Sequence, residues 1–250
     1  MRKYGLIGYP LGHSFSKKYF TGKFSREGIV DAVYDTYPIE NLELLPELIE
    51  NTEGLMGLNV TIPYKTNVLK FLSETDSDAT AAGAVNVIKI LKGAGGIKLK
   101  GFNTDIYGFR ESLLPLIGSR SYSALVLGTG GSSLAVRYVL EILEIEYISV
   151  SRVSSEKNIT YSELTEDHIR ENELIINTTP LGMFPDIDSS PDINYNALTD
   201  KHILFDLVYN PEMTKFLQKG KERGCTVKSG LEMLHLQADR SWMIWNDPEI

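Results

Sequence analysis

Short apolar runs alternate with helix-length amphipathic stretches from one end of this chain to the other. That alternation predicts an α/β fold with mainly parallel strands, because parallel neighbours need a crossover connection that is usually a helix. Strands are expected at 4–8, 33–39, 57–61, 85–91, 97–102, 124–127, 147–151, 174–177, 203–207 and 226–228. The segment Lys92-Gly93-Ala94-Gly95-Gly96 separates two of them and reads as a hairpin turn. One helix is expected after Asp105, which reads as its N-cap, and another across 132–143. A third covers 212–223, with Gly224 just past its end, and the last starts near Gly230 and carries Leu231, Leu234, Ala238 and Trp242 or Trp245.

A chain of 250 residues has room for one large domain or two modest ones. The boundary is expected near 102–105, where the hairpin-containing part ends ahead of a new βαβ unit starting at Ala124. No apolar run approaches the roughly 20 residues of a membrane-spanning helix, and the first ten residues are too interrupted for a secretory signal. The one cysteine, Cys225, excludes an internal disulfide framework and a cysteine-based zinc site. The histidines show no ligand spacing, so no metal is expected, and a cytoplasmic setting is. A net charge of −8 offers no field for a nucleic-acid backbone. Anionic ligands must then be held by a few local donors.

The segment Ala124-Leu125-Val126-Leu127-Gly128-Thr129-Gly130-Gly131-Ser132-Ser133-Leu134 supplies such donors in the order strand, glycine turn, helix. Gly128 permits the tight turn, Gly130 lets backbone approach a pyrophosphate, and Ser133 is small enough for helix–strand packing. Free N–H groups and the dipole at the helix start favour phosphate. The next strand ends in Ser151-Arg152, with no acidic residue to bind the ribose hydroxyls of NAD. An arginine there suits the 2′-phosphate of NADP.

Three further clusters stand apart from this motif. They are Gly8-Tyr9-Pro10-Leu11-Gly12-His13-Ser14-Phe15-Ser16, then Asn59-Val60-Thr61-Ile62-Pro63-Tyr64-Lys65, and Gly83-Ala84-Val85-Asn86 followed beyond the hairpin by Gly101-Phe102-Asn103-Thr104-Asp105. With Asn177-Thr178-Thr179-Pro180-Leu181-Gly182-Met183, Asp206-x-x-Tyr209-Asn210-Pro211 and Gly230-x-x-Met233-Leu234-x-x-Gln237, the pattern closely resembles the shikimate dehydrogenase family. The motifs occur in the family's order over nearly the whole chain.

The resemblance implies a two-domain α/β enzyme. Residues 1–103 would form a substrate domain with a mainly parallel mixed sheet, completed by the helix 230–250. Residues 104–229 would form a Rossmann-type NADP domain. It implies reversible, NADPH-dependent reduction of 3-dehydroshikimate to shikimate in aromatic amino-acid biosynthesis. By the matching positions Lys65 and Asp105 are the catalytic pair. Ser14 and Ser16, helped by Tyr209, bind the substrate carboxylate, and Asn59, Thr61, Asn86 and Gln237 line the ring-hydroxyl side. Gly128, Thr129, Gly130, Gly131 and Ser132 hold the pyrophosphate and Ser151 with Arg152 the adenosine phosphate, while Leu207 and Gly230 lie by the nicotinamide. Small molecules are the expected partners, with the chain a monomer or homodimer. The adenosine loop departs from the family's usual Asn-Arg-Thr: it reads Ser151-Arg152-Val153 with Glu156 beyond, which keeps NAD open as a cofactor. An NAD-using quinate/shikimate dehydrogenase, or a non-catalytic sensor of shikimate-like ligands, are the alternatives.

The chemistry fits these residue types. Reducing a ketone leaves negative charge on its oxygen, and a positioned amine that supplies the proton typically contributes ~10²–10⁴-fold. A site rich in Ser, Thr, Asn and Gln suits a polyhydroxy acid, because a ligand lacking a hydroxyl leaves buried donors unpaired.

Overall fold

The structure is a computed structural model that describes residues 1–11, 15–93 and 95–250. Its internal contacts divide the chain into two units: Met1–Tyr107 with Gln237–Ile250, and Gly108–Leu236.

In the first unit, β1 (Arg2–Gly8) pairs in parallel with β2 (Ala32–Pro38) and β3 (Leu55–Val60), and α1 (Phe15–Arg26) and α2 (Leu45–Asn51) supply the crossovers. After β4 (Glu74–Thr75) and α3 (Ser77–Ala82), the predicted hairpin forms from β5 (Val87–Gly93) and β6 (Gly96–Phe102), antiparallel to each other. The sheet order is β2-β1-β3-β5-β6-β4, a mixed sheet in which parallel pairs predominate. Both faces are covered, which explains why its strands carry apolar residues at successive positions. Ile7, Val60, Ile88 and Ile90 point into one core, while Tyr4, Tyr34 and Val87, of opposite parity in their strands, point into the other.

α4 (Thr104–Ile117) carries the chain from the first unit into the second. Asn103 Oδ1 accepts the Asp105 N–H at 3.1 Å, so the capping role expected of Asp105 falls to Asn103. The Asp105 carboxyl is thereby left for other partners. The second unit contains β7 (Ser123–Leu127), α5 (Gly131–Ile142), β8 (Glu146–Ser151), β9 (Ile159–Thr160), α6 (Glu166–Glu171), β10 (Leu174–Asn177), β11 (Ile203–Asp206), α7 (Lys215–Glu222) and β12 (Thr226–Ser229). Every pair in this sheet is parallel, in the order β12-β11-β10-β7-β8-β9. Numbered from β7, that is the doubly wound 3-2-1-4-5-6 order, whose winding reverses between β7 and β10. Ligands of open α/β sheets bind at the carboxyl ends of the strands at such a reversal. α7 starts later than its expected 212 because Thr214 is its N-cap, accepting the Leu217 N–H.

α8 (Leu231–Asn246) starts in the second unit and ends in the first. Its Trp245 stacks on Tyr4 with ring centroids 4.9 Å apart and donates its indole N–H to Ile88 O at 3.0 Å. Buried Lys89 donates to the carbonyls of Ile244 and Asp247, groups that a helix end leaves without internal partners. Among the described residues, no helix is long and apolar enough to cross a membrane.

Candidate active site

Lys65 sits on a turn that the end of β3 feeds and several bonds fix. The Tyr64 N–H donates to Thr61 O at 2.9 Å, the Tyr64 hydroxyl to Ile39 O at 2.6 Å, and the Val85 N–H to Lys65 O at 2.8 Å. From this base the Lys65 ammonium reaches Asp105 Oδ2 at 2.6 Å, in the first turn of α4. The two side chains are only 13% and 10% exposed. An ion pair so far from water is favourable only when its remaining lone pairs are satisfied. Asn86 does this: its Nδ2 donates to Asp105 Oδ1 at 2.8 Å, while its Oδ1 accepts the Thr104 N–H at 2.7 Å.

The network continues inward. Asn59 Oδ1 accepts the Tyr34 hydroxyl at 2.8 Å, and Asn59 Nδ2 donates to Ser241 Oγ at 3.1 Å. Ser241 and Thr104 share a hydrogen bond at 3.2 Å, and Thr104 Oγ1 lies 3.4 Å from Gln237 Oε1. Ser16, half-buried in the first turn of α1, hydrogen-bonds the Tyr34 hydroxyl, whose pKa burial raises well above the ordinary tyrosine value. Lys65, Asp105, Asn86, Asn59, Gln237 and Ser16 are therefore joined in one polar network within the first unit. The Thr61 hydroxyl stands half-buried beside it, with no hydrogen bond among the described residues. Ser14 lies outside the described residues. Tyr209 belongs to the second unit, half-buried, its hydroxyl pushed up by burial. Asn103 and Thr104 stand inside a sequence motif, but nothing local in the sequence marks Tyr34 or Ser241.

In the second unit the glycine turn follows β7 directly. Gly128 has φ of +107°, and a Cβ on it would lie 2.7 Å from Thr178 Oγ1 and 2.9 Å from Thr179 Cγ2. Gly130 is the N-cap of α5, and a Cβ there would meet nothing within 4 Å. The turn thus leaves open space before a 12-residue helix whose Gly131 and Ser132 form the first turn. That cradle fits the pyrophosphate of a dinucleotide, with dipole and N–H groups facing it. Ser133 packs inside, its hydroxyl donating to Gly130 O at 2.6 Å. Exposed Thr129 lies 3.4 Å, hydroxyl to hydroxyl, from Ser151 at the end of β8, and exposed Arg152 follows it. Leu207 comes just after β11, its N–H donating to Asn177 O at 2.9 Å, and the Gly230 N–H donates to Val208 O at 3.1 Å. The cofactor residues expected from the sequence therefore gather at the carboxyl edge of one sheet.

Asp206, at the end of β11, is fully buried, and desolvation pushes its carboxyl up from 3.8 to about 6 against three hydrogen bonds that lower it. The folded state then holds a proton that the unfolded state has released between pH 3.8 and about 6. Its contribution to stability is fully present below pH 3.8 and is lost as pH rises through about 6, a change on the order of 3 kcal/mol. Urea unfolding of wild type and Asp206→Asn over this range checks the sign. The variant is expected to gain on wild type as pH rises, and a constant difference would contradict the assignment.

Residues 6–88 match the shikimate dehydrogenase substrate binding domain. The chain is 38% identical to Shikimate dehydrogenase (NADP(+)) of Shouchella clausii, over 98% of this chain and 92% of that protein. It is 35% identical to the same enzyme of Methanococcus aeolicus, over 96% of this chain and 90% of that protein. Its fold is similar to the crystal structure of shikimate 5-dehydrogenase from Thermus thermophilus in complex with NADP(H) and shikimate. The TM-score is 0.85 at 29% identity, covering 100% of this chain and 96% of that one. Identity of this level along almost the full length, on a matching pair of sheets, shows that the chain belongs to the shikimate dehydrogenase family.

Proposed function

We propose that this chain catalyses the reversible, NADPH-dependent reduction of 3-dehydroshikimate to shikimate. The observation that carries this reading is the Lys65–Asp105 contact at 2.6 Å, nearly out of water and braced by Asn86. In the reducing direction Lys65 Nζ gives a proton to the substrate oxygen, and in the oxidising direction it takes that proton back. Asp105 holds the amine in place through Oδ2, and Asn86 fixes the carboxyl by binding Oδ1. Ser14 and Ser16, with Tyr209, take the carboxylate; Asn59, Thr61, Asn86 and Gln237 face the ring hydroxyls. Both donor hydrogens of Asn59 are occupied, by Ser241 Oγ and Asn86 O, so Asn59 meets a ligand hydroxyl as an acceptor.

Bound NADPH supplies the hydride. Gly128, Thr129, Gly130, Gly131 and Ser132 would hold its pyrophosphate, Ser151 and Arg152 its adenosine phosphate, and Leu207 and Gly230 would border the nicotinamide. The unit Met1–Tyr107 with Gln237–Ile250 would be the substrate domain and Gly108–Leu236 the cofactor domain, a few residues away from the expected 1–103 with 230–250 and 104–229. The setting is the cytoplasm, in keeping with a single buried, unpaired thiol at Cys225.

Absorbance at the nicotinamide band with purified protein tests the reading: shikimate and NADP⁺ are expected to give the fastest turnover among shikimate or quinate paired with NADP⁺ or NAD⁺. No turnover with any pair would sink it. Exposed Arg152 makes no ion pair or hydrogen bond among the described residues and is open to a phosphate. Arg152→Ala is expected to weaken NADP⁺ by ~10–100-fold, the scale of losing a charge-assisted bidentate contact, with little change for NAD⁺. Equal losses for both cofactors would count against phosphate recognition by Arg152.

A further inference from the structure

The reaction as derived leaves Asp206 unused, although it is fully buried and no cation is among the partners that hold it. Its Oδ1 accepts Asn177 Nδ2 at 2.9 Å and the Val208 N–H at 3.0 Å, and its Oδ2 accepts the Thr214 hydroxyl at 2.6 Å. Asn177 passes the constraint on: its own Oδ1 accepts the Thr179 N–H at 3.0 Å and the Thr179 hydroxyl at 2.6 Å. Thr178, next in chain, donates both its N–H and its hydroxyl to Leu127 O, at 2.9 and 2.8 Å, and lies against Gly128. On the other side, Val208 O accepts the Gly230 N–H. Gly230 packs so closely that a Cβ on it would fall 2.2 Å from Leu207 O.

One carboxylate is thus tied to the backbone segments that carry Gly128, Leu207 and Gly230. Holding the fold together does not account for it, since a buried carboxylate without a cation is a poor source of stability. Its Oδ1 instead acts as a spacer between the end of β10 and the turn after β11, next to the reversal of winding where a dinucleotide sits, while Oδ2 is held by Thr214 at the start of α7. We propose that Asp206 is a positioning residue for the cofactor: through Asn177 and Val208 it sets the crevice bordered by Gly128, Leu207 and Gly230. This rests on the NADP reading above.

The test is the NADPH dissociation constant, read from the fluorescence of bound NADPH well below each variant's melting temperature. Asp206→Ala and Asn177→Ala are each expected to raise Kd about tenfold, the scale of one lost net hydrogen bond. Asp206→Asn keeps an oxygen towards Val208 and Asn177, and is expected to stay within about threefold of wild type. Thr214→Val removes the hydroxyl that Asp206 Oδ2 accepts and that caps α7, leaves both Oδ1 contacts in place, and is expected to lower Tm while leaving Kd within about twofold. An unchanged Kd in folded Asp206→Ala overturns the proposal, and Asn177→Ala decides in the same way if that variant does not fold. So does an Asp206→Asn or Thr214→Val protein that binds as weakly as Asp206→Ala. Wild type that fails to bind NADPH would overturn the functional reading instead.

Discussion

Lys65→Ala is expected to lower kcat by ~10²-fold or more, with a smaller change in KM. The amine acts on a charge that exists only as the carbonyl is reduced, so its loss is felt in the transition state more than in binding. The variant also strands Asp105, 10% exposed, with Asn86 as its remaining bracing partner by side chain. Removing one partner of a buried pair costs roughly 3–5 kcal/mol, so rates must be taken per folded molecule. Lys65→Ala combined with Asp105→Asn relieves the stranded charge and is expected to recover stability without recovering turnover. Near-normal kcat in folded Lys65→Ala would remove the amine from the chemistry.

Gly128→Ala is expected to raise the NADPH Kd by ~10²-fold, a cost of about 3 kcal/mol from two sources acting together. A side chain at φ of +107° is strained, by about 1–3 kcal/mol for a residue forced into such a region. The new methyl would also press on Thr178 Oγ1 and Thr179 Cγ2, and neither Thr178, bonded to Leu127 O, nor Thr179, bonded to Asn177, is free to withdraw. The turn must therefore move, and the amides that face the phosphates move with it. Gly130→Ala probes the ligand side of the same turn: a methyl there meets no protein atom beyond its chain neighbours within 4 Å, so any loss of NADPH binding comes from the space that the pyrophosphate enters and not from a shift of the turn. NADPH binding by Gly128→Ala at wild-type strength would show that the turn does not hold the pyrophosphate.

Parallel strands were legible because burial on both faces makes them continuous apolar runs, as in Ala124–Leu127, all fully buried. The glycine turn was legible because backbone geometry dictates its residues. α1 was not, since Phe15, Tyr19, Phe20 and Phe24 spread over it with Gly22 and four lysine or arginine residues, a weak helical stripe. The short α2, α3 and α6 depend on tertiary packing more than on their own pattern. In the site, motif residues such as Asn86 and Asp105 stood out by their company in sequence. Tyr34 and Ser241 did not, because their roles come from pairing across long chain separations: Tyr34 meets Asn59, and Ser241 meets both Asn59 and Thr104. The N-cap expected of Asp105 failed for a related reason. Asn103 offers the backbone an equivalent acceptor, and the carboxyl is drawn to Lys65.

The first unit is built from two stretches that the whole of the second separates. During synthesis, residues 108–236 are added to the chain before Ser241, Trp245 and the carbonyls that accept from Lys89. The later-starting unit can therefore finish folding first, although chains ordinarily mature from their N-terminal domain onward. Until the closing helix arrives, the apolar face around Tyr4, Phe20 and Tyr34 stays uncovered on the nascent chain.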